Sequence, residues 1–442
     1  MTWRPFCQWA YSLSLMLALN APTVAQEWEV FGKACQTTDC DQLSCDSMPC
    51  EGAARDWSQC FTCDGYDQFK LDLAECGIAL TSNLTQFSFG TVDGGLRQTG
   101  RYGGHGDYVA RLDLGKLGLH EGLLLQLRAE HRFGESINQE TGAILPATLA
   151  ADLPVSESRE ILLSNVLFTQ FLTPTFAVYA GKLDTLDGDQ NAYASGRGIS
   201  QFNNVALVAN PIALRTIPYA SLGFGFVVLR EGEPLLNFLV MNPTDTVESD
   251  GFDELFREGV ALSAEVRFST RFGSRPGHQL FAGTWSSRDF VSFDQDPRII
   301  LPTVPINRTS GAWSLYWNMD QALWVQRGNP ERHWGFFARA GIADDQTNPI
   351  SFLLSGGLGG ASPLRQRDTF GIGYYFSGTS NEVGPILETV LGPIEDGQGL
   401  EWFYRMQLTN GWSITPDLQW ILPARQNVTD AFVMGLRANF QF

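Results

Sequence analysis

The chain ends in AFVMGLRANFQF (residues 431–442), and this stretch decides the fold. One set of alternate positions is apolar: Phe432, Met434, Leu436, Ala438, Phe440 and Phe442. The positions between them include Arg437 and Asn439. Because successive side chains of a strand point to opposite faces, a period of two predicts a strand with one apolar and one polar face.

The same alternation recurs from about residue 80 onward, for example in residues 123–133, 260–269, 333–342 and 401–409. Clusters of Gly, Asn, Asp and Pro separate these segments. A soluble sandwich would turn its apolar faces inward, whereas an outer-membrane barrel turns them to lipid. Aromatic residues near the ends of the apolar faces and charges of both signs on the polar faces favour the barrel. We predict an all-β, transmembrane antiparallel β-barrel over residues 77–442, with about 14 to 18 strands.

The N-terminus has the pattern of an export signal over residues 1–25. Arg4 precedes an apolar stretch at residues 10–19, and Thr23-Val24-Ala25 resembles a small-residue cleavage site. The apolar stretch is shorter than the roughly 20 residues that a membrane-spanning helix needs.

Residues 26–76 form a cysteine-rich segment, which we predict to be a separate unit. Its cysteines are Cys35, Cys40, Cys45, Cys50, Cys60, Cys63 and Cys76. In an exported protein such density favours disulfides over a zinc site. Seven is an odd number, so one thiol stays free, pairs between chains or binds a ligand.

Composition argues against several functions. The formal net charge of −18 is opposite to the basic footprint of a nucleic-acid-binding protein, so no nucleic-acid partner is expected. The five histidines form no metal-binding or catalytic motif, and no phosphate-binding motif is present. Residues 356–360 (GGLGG) lack the context of a dinucleotide-binding turn, and we interpret them as a flexible turn. We therefore predict no enzymatic activity, no cofactor and no metal.

From about residue 71 the chain resembles the carbohydrate-selective outer-membrane porins, the OprB family. The matching stretches are Gly94-Gly95-Leu96-Arg97, Arg101-Tyr102-Gly103, Gly181-Lys182-Leu183-Asp184, Gln201-Phe202-Asn203-Asn204, Ile217-Pro218-Tyr219, Leu222-Gly223, Phe337-Ala338-Arg339-Ala340-Gly341, Asp368-Thr369-Phe370-Gly371-Ile372-Gly373-Tyr374, Thr415-Pro416-Asp417-Leu418-Gln419-Trp420 and Gly435-Leu436-Arg437. The resemblance implies a sixteen-stranded barrel with a constricted, sugar-permeable channel. The cysteine-rich segment departs from the family's pattern.

A long, strand-poor insert runs from Asp184 to Ala220, and we expect it to fold into the lumen and narrow the pore. Guanidinium groups suit sugar hydroxyls because they offer several fixed donors. The candidate pore residues are Arg97, Arg101, Arg128, Glu130, Asp184, Asp187, Asp189 and Arg197. The alternative is that each is a structural ion-pair partner. For residues 184–191 a calcium site is a second interpretation, but a solvated turn is favoured.

The predicted function is a passive porin of the bacterial outer membrane that passes neutral mono- or oligosaccharides. A general diffusion porin and a surface adhesion or wall-attachment barrel are the alternatives. The expected partners also include outer-membrane lipid and the barrel-assembly machinery, which would recognise the terminal strand through Phe442. Monomer and homo-oligomer both stay open.

Overall fold

Sixteen strands make up most of the molecule. The structure, a computed structural model, describes residues 64–292, 307–382, 388 and 391–442. The strands are β1 (Ile78–Gly95), β2 (Gly100–Asp113), β3 (Leu123–Gly134), β4 (Leu162–Thr173), β5 (Phe176–Asp184), β6 (Ala220–Arg230), β7 (Glu233–Met241), β8 (Ala261–Phe272), β9 (Arg275–Val291), β10 (Arg308–Gln326), β11 (Asn329–Ala343), β12 (Ile350–Ala361), β13 (Thr369–Thr379), β14 (Gly397–Gln407), β15 (Trp412–Leu422) and β16 (Thr429–Gln441).

The named helices of the described residues are few and short. They are α1 (Asp64–Glu75), α2 (Asn138–Thr141) and α3 (Val205–Val208), with single 3₁₀ turns at Ala150–Asp152, Thr185–Asp187, Gly196–Gly198, Ala213–Arg215 and Phe252–Glu254. In the described part of the chain, no helix is long and apolar enough to cross a membrane.

Each strand pairs antiparallel with its neighbours in sequence, and β16 pairs with β1 to close the barrel. Leu84 lies opposite Phe440 at this seam. Beyond it, the backbone N–H of Phe442 donates to the carbonyl of Ser82 at 3.0 Å, and the reverse bond is 3.1 Å long. Closure leaves no unpaired strand edge, as a sheet in lipid requires. The predicted barrel class is confirmed, with sixteen strands.

The terminal strand has the two faces that its sequence predicts. On the outer face Met434 is 46% exposed and Leu436 is 45% exposed, whereas on the inner face Val433 and Arg437 are both fully buried. The apolar face therefore looks outward and the polar face inward. A barrel in lipid has this arrangement, and a soluble sandwich would have the reverse.

The connections differ in length between the two ends of the barrel. Residues 174–175, 231–232, 273–274 and 327–328 are two-residue turns at one end, which we call the short-turn end. The opposite, long-loop end carries residues 242–260 and other long connections. We call residues 135–161, between β3 and β4, the rim segment, and residues 185–219, between β5 and β6, the inner loop.

The interpretation of residues 356–360 as a flexible turn is wrong, because they lie inside β12. Their glycines serve close packing. A Cβ atom on Gly359 would lie 3.1 Å from the backbone oxygen of Tyr193 in the inner loop. On β13, a Cβ atom on Gly371 would lie 2.7 Å from the ring of Phe202. Glycine on the inner wall thus leaves space for the aromatic side chains of the inner loop.

The N-terminal predictions fall mostly outside the described residues. The predicted signal peptide and six of the seven predicted disulfide cysteines lie there. Cys76 is exposed and directly follows α1, and it makes no disulfide within the described residues. The signal peptide and the disulfides stay predictions.

Candidate functional site in the barrel lumen

The inner loop lies inside the barrel, against strands around most of the wall. It leaves β5 and meets β10, where the Asn191 amide donates to Asn318 Oδ1 at 2.6 Å. It then reaches β16, where Arg437 Nη1 donates to the carbonyl of Gly198 at 2.6 Å. Finally it passes β12, near which the Asn348 amide donates to the carbonyl of Ile212 at 3.0 Å. The predicted strand-poor insert is confirmed, since β5 ends at Asp184 and β6 begins at Ala220.

Five of the eight predicted pore residues meet in one buried network. Arg128 Nη1 lies 2.6 Å from Asp187 Oδ2 and 3.1 Å from Asp184 Oδ2. Arg197 Nη1 lies 2.9 Å from Asp184 Oδ2, and its Nη2 lies 2.8 Å from Glu130 Oε1. None of the five side chains is more than 8% exposed. The two arginines of β3 and the inner loop therefore share the same carboxylates.

Four further residues complete this network, and sequence reasoning did not single them out. Asp107 Oδ1 lies 3.1 Å from Arg128 Nε, and His105 Nε2 lies 3.1 Å from Glu130 Oε1. The hydroxyls of Ser164 and Tyr219 both donate to Glu130 Oε2. Both Asp107 and His105 occupy inner positions of β2 opposite β3, so the alternation could have revealed them.

The backbone around Arg197 is left-handed over three successive residues. The φ angles are 76° at Gly196, 53° at Arg197 and 76° at Gly198. Glycine adopts this region freely, but for arginine it costs roughly 1–2 kcal/mol. The three buried carboxylates that surround the Arg197 guanidinium offset that cost.

Two carboxylates of the inner loop are perturbed in opposite directions. Burial opposes ionisation of Asp187, but Arg128 and Arg197 outweigh it and hold the pKa of that carboxyl below its ordinary value. At Asp189 burial dominates and raises the pKa, although Arg339 and Asn318 act against it. The number of cations around each carboxylate explains the difference.

Asp189 lies apart from the network and pairs with an arginine of β11. Its Oδ2 lies 2.9 Å from Arg339 Nε, and Asn318 donates to its Oδ1 at 2.7 Å. Arg339 Nη1 also donates to the carbonyl of Leu207 at 2.9 Å. Asp184, Asp187 and Asp189 are all buried, so the interpretation of residues 184–191 as a solvated turn is wrong. Within the described residues no group of three His, Cys, Asp or Glu side chains could hold a metal ion.

Strands β14 and β16 hold the middle of the inner loop. Arg437 Nη1 donates to Asn203 Oδ1 at 2.7 Å. Glu401 accepts from the backbone N–H groups of Asn203 and Asn204 at 2.6 Å and 2.9 Å. The aromatic ring of Phe202 packs between those of Phe337 and Phe403, with ring centroids 5.3 Å and 5.0 Å away. Packed side chains of the inner loop and the wall fill this part of the lumen.

The remaining two predicted residues, Arg97 and Arg101, lie elsewhere. Arg97 Nε is 2.8 Å from Glu140 Oε2, and Arg101 Nε donates to Glu140 Oε1 at 2.9 Å. Glu140 belongs to α2 in the rim segment, and its side chain is only 4% exposed. Burial raises the pKa of this carboxyl, but the two arginines outweigh it and the net shift is downward. These arginines therefore attach the rim segment to the long-loop end of the barrel.

Two cavities lie on either side of the start of the inner loop, and Asp187, Gly188 and Gln190 line both. The first is walled by β1–β3, β14 and β16, and we call it the arginine compartment. Its defining residues are Arg111, Arg128, Arg197 and Arg405. The second is walled by β4–β9, and we call it the leucine compartment. Its defining residues are Leu167, Leu183, Leu235, Leu239 and Leu280.

The fold and the lumen together define the class of this protein. A closed antiparallel barrel of sixteen strands has an apolar exterior, a charged interior, short turns at one end and long loops at the other. This is the architecture of an outer-membrane porin. The cavities lie inside such a barrel, on both sides of a loop that is anchored to its wall.

Comparison with known proteins identifies the family. Residues 97–442 match the carbohydrate-selective porin, OprB family. Among solved structures, the high-pH structure of OprB from Pseudomonas putida superposes with a TM-score of 0.73 at 17% identity, covering 85% of this chain and 97% of that one. The low-pH structure of the same protein gives a TM-score of 0.54 at 14% identity, covering 86% and 97%. A search of curated proteins found no match.

The chain belongs to the carbohydrate-selective porin, OprB family. It is a channel of the bacterial outer membrane rather than an enzyme. The sequence-based predictions of family, fold class and location are thereby confirmed.

Proposed function

We propose that this porin is a passive channel for neutral mono- or oligosaccharides, and that the inner loop narrows its lumen and sets its selectivity. The observation that carries the proposal is the position of Asp187, Gly188 and Gln190, which line two cavities at once. A solute that crosses the barrel beside the loop would contact fixed side chains on both the loop and the wall. Such contacts can be strong enough for entry and weak enough for release.

The predicted pore residues would have different roles. Arg128, Asp187 and Arg197 line the arginine compartment, where their polar groups would meet sugar hydroxyls. Glu130 and Asp189 would hold the loop through Arg197 and Arg339.

The other three would act at the edges of the lumen. Asp184 would anchor the start of the loop, and it also lines the leucine compartment. Arg97 and Arg101 would fix the rim segment through Glu140, so they would shape the entrance without binding the sugar.

The test is planar-bilayer conductance of the refolded mature protein, titrated with glucose and with longer glucans. We expect a saturable block, and we expect Arg405→Gln to weaken it severalfold because this arginine lines the arginine compartment. Arg365→Gln is the matched control, since Arg365 is an exposed residue of the β12–β13 turn whose Nη1 lies 3.6 Å from Asp368. It should leave the block unchanged.

Two outcomes would contradict the proposal. A large current that sugars do not block would indicate a general diffusion porin, in keeping with the net charge of −18. No current at all would favour the adhesion or wall-attachment alternative. Binding of outer-membrane lipid, recognition of the Phe442 strand by the assembly machinery and the oligomeric state stay predictions.

A further inference from the structure

The leucine compartment has a wall that is unusual for a water-filled lumen. Its aliphatic side chains project from the inner face of the barrel, where polar residues are the rule. On β7 both Leu235 and Leu239 line the cavity, as does Leu167 on β4. Leu280 of β9 and Ile217 of the inner loop extend this apolar surface. Exposing aliphatic groups to water is unfavourable, and conduction of ions or sugars does not require it.

Polar groups lie in the same cavity, near the middle of β7 and β8. Asn237, Glu265 and Arg267 line it together with the aliphatic wall. The Tyr316 hydroxyl donates to Glu265 Oε1 at 2.9 Å, which fixes this carboxylate. Arg267 Nε is buried and has no hydrogen-bond partner. The compartment therefore combines an apolar surface with an oriented acceptor and an unused donor.

These two kinds of surface match an amphipathic solute. Pockets that hold small molecules are mostly apolar, with a few polar groups that fix the orientation. A free sugar carries hydroxyls on nearly every carbon and would leave the leucine side chains in contact with water. A glycoside with an apolar aglycone would cover them, while its sugar hydroxyls pair with Glu265 and Arg267.

We propose that the leucine compartment is a binding site for glycosides that carry an aromatic or other apolar aglycone. The aglycone contacts Leu167, Leu235 and Leu239, and the sugar contacts Glu265 and Arg267. This inference rests on the proposed function, because it assumes that sugars enter the lumen, and it extends the substrate class of the same channel.

The experiment compares block of the single-channel current by methyl β-D-glucoside, phenyl β-D-glucoside and phenol. The two glucosides share one sugar and differ in the aglycone, and phenol reports on the ring alone. We expect phenyl glucoside to block at a concentration about tenfold lower than methyl glucoside, because the ring covers apolar wall. Phenol should block more weakly than phenyl glucoside.

Two substitutions test whether the aglycone binds in the leucine compartment. Leu167→Thr and Leu235→Thr, made singly, should each reduce the preference for phenyl glucoside by about threefold. The preference is measured within each variant as the ratio of block by the two glucosides, and insertion into the bilayer as a conducting channel shows that the variant is folded. The matched control is Val109→Thr, because Val109 lines the arginine compartment and should not affect the preference.

The outcomes separate this inference from the function on which it rests. Equal block by the two glucosides, or an equal effect of Val109→Thr and Leu167→Thr, would overturn the inference while glucose block still supports a sugar channel. If current flows and neither glucose nor any glucoside blocks it, the proposed function fails together with the inference.

Discussion

The arginine and leucine compartments share Asp187, Gly188 and Gln190 but differ in the rest of their walls. Four arginines line the first, and five leucines line the second. The strands explain the contrast, because β2, β3 and β14 place charges on their inner faces. By contrast, β7 (EPLLNFLVM) is apolar on both faces along most of its length. The loop residues that line both cavities therefore face two different chemical surroundings, because the inner faces of the surrounding strands differ.

The largest effect is expected from removing Arg197, the cation that joins the inner loop to β3. In Arg197→Met, Glu130, Asp184 and Asp187 lose a buried partner, which typically costs about 3–5 kcal/mol. We expect the inner loop to leave β3, with a severalfold higher single-channel conductance and faster hydrogen exchange over residues 185–219.

The matched control is Arg365→Met, because the Arg365 side chain is exposed and the Asp368 carboxylate keeps its hydrogen bonds from Tyr404 and Gln407 without it. Wild-type conductance and exchange in Arg197→Met would show that the network does not hold the loop.

A smaller effect tests whether ions use both compartments. Arg405→Gln removes a positive charge from the arginine compartment, and Glu265→Gln removes a negative charge from the leucine compartment. If both conduct, the reversal potential in a KCl gradient should shift toward cations in the first variant and toward anions in the second. The permeability ratio should change by about twofold in each case. A shift in one variant alone would assign conduction to that compartment.

The smallest effect is a pH dependence of the rim segment. The rim segment packs against the inner loop, since the Leu149 N–H donates to the carbonyl of Asn203 at 2.9 Å. Because the pKa of Glu140 lies below its ordinary 4.5, its bonds to Arg97 and Arg101 contribute stability above that pH. This contribution is lost as the pH falls through the lowered value.

Hydrogen exchange of residues 135–161, referenced to residues 242–260 in the same sample, should therefore stay constant from pH 7 to 4.5 and become faster below. In Glu140→Gln the acid-induced change should disappear. An equal change in the variant would assign the pH response to another group, with Glu135 the first candidate because it also bonds Arg101.

The outcome for the candidate site shows how far alternation reaches. The alternation in residues 123–133 places Arg128 and Glu130 on the inner face. The same alternation places Arg339 and Arg437 there, but neither was among the candidate pore residues. The alternation predicts which face of the barrel a side chain occupies. It does not say which strand lies across the lumen, so the Asp189–Arg339 pair could not be predicted.

The sequence by itself determined the barrel, its closing strand and the polarity of its two faces. A period of two is a local property, and it alone decides which side chains face lipid and which face the lumen. The sequence also indicated that the insert between Asp184 and Ala220 is poor in strand. Only the tertiary structure decided that Arg197 joins Arg128 through shared carboxylates, that Arg97 and Arg101 bind Glu140 instead, and that the lumen has two unlike compartments. These contacts join segments far apart in the chain, and barrel closure, which no local pattern encodes, brings them together.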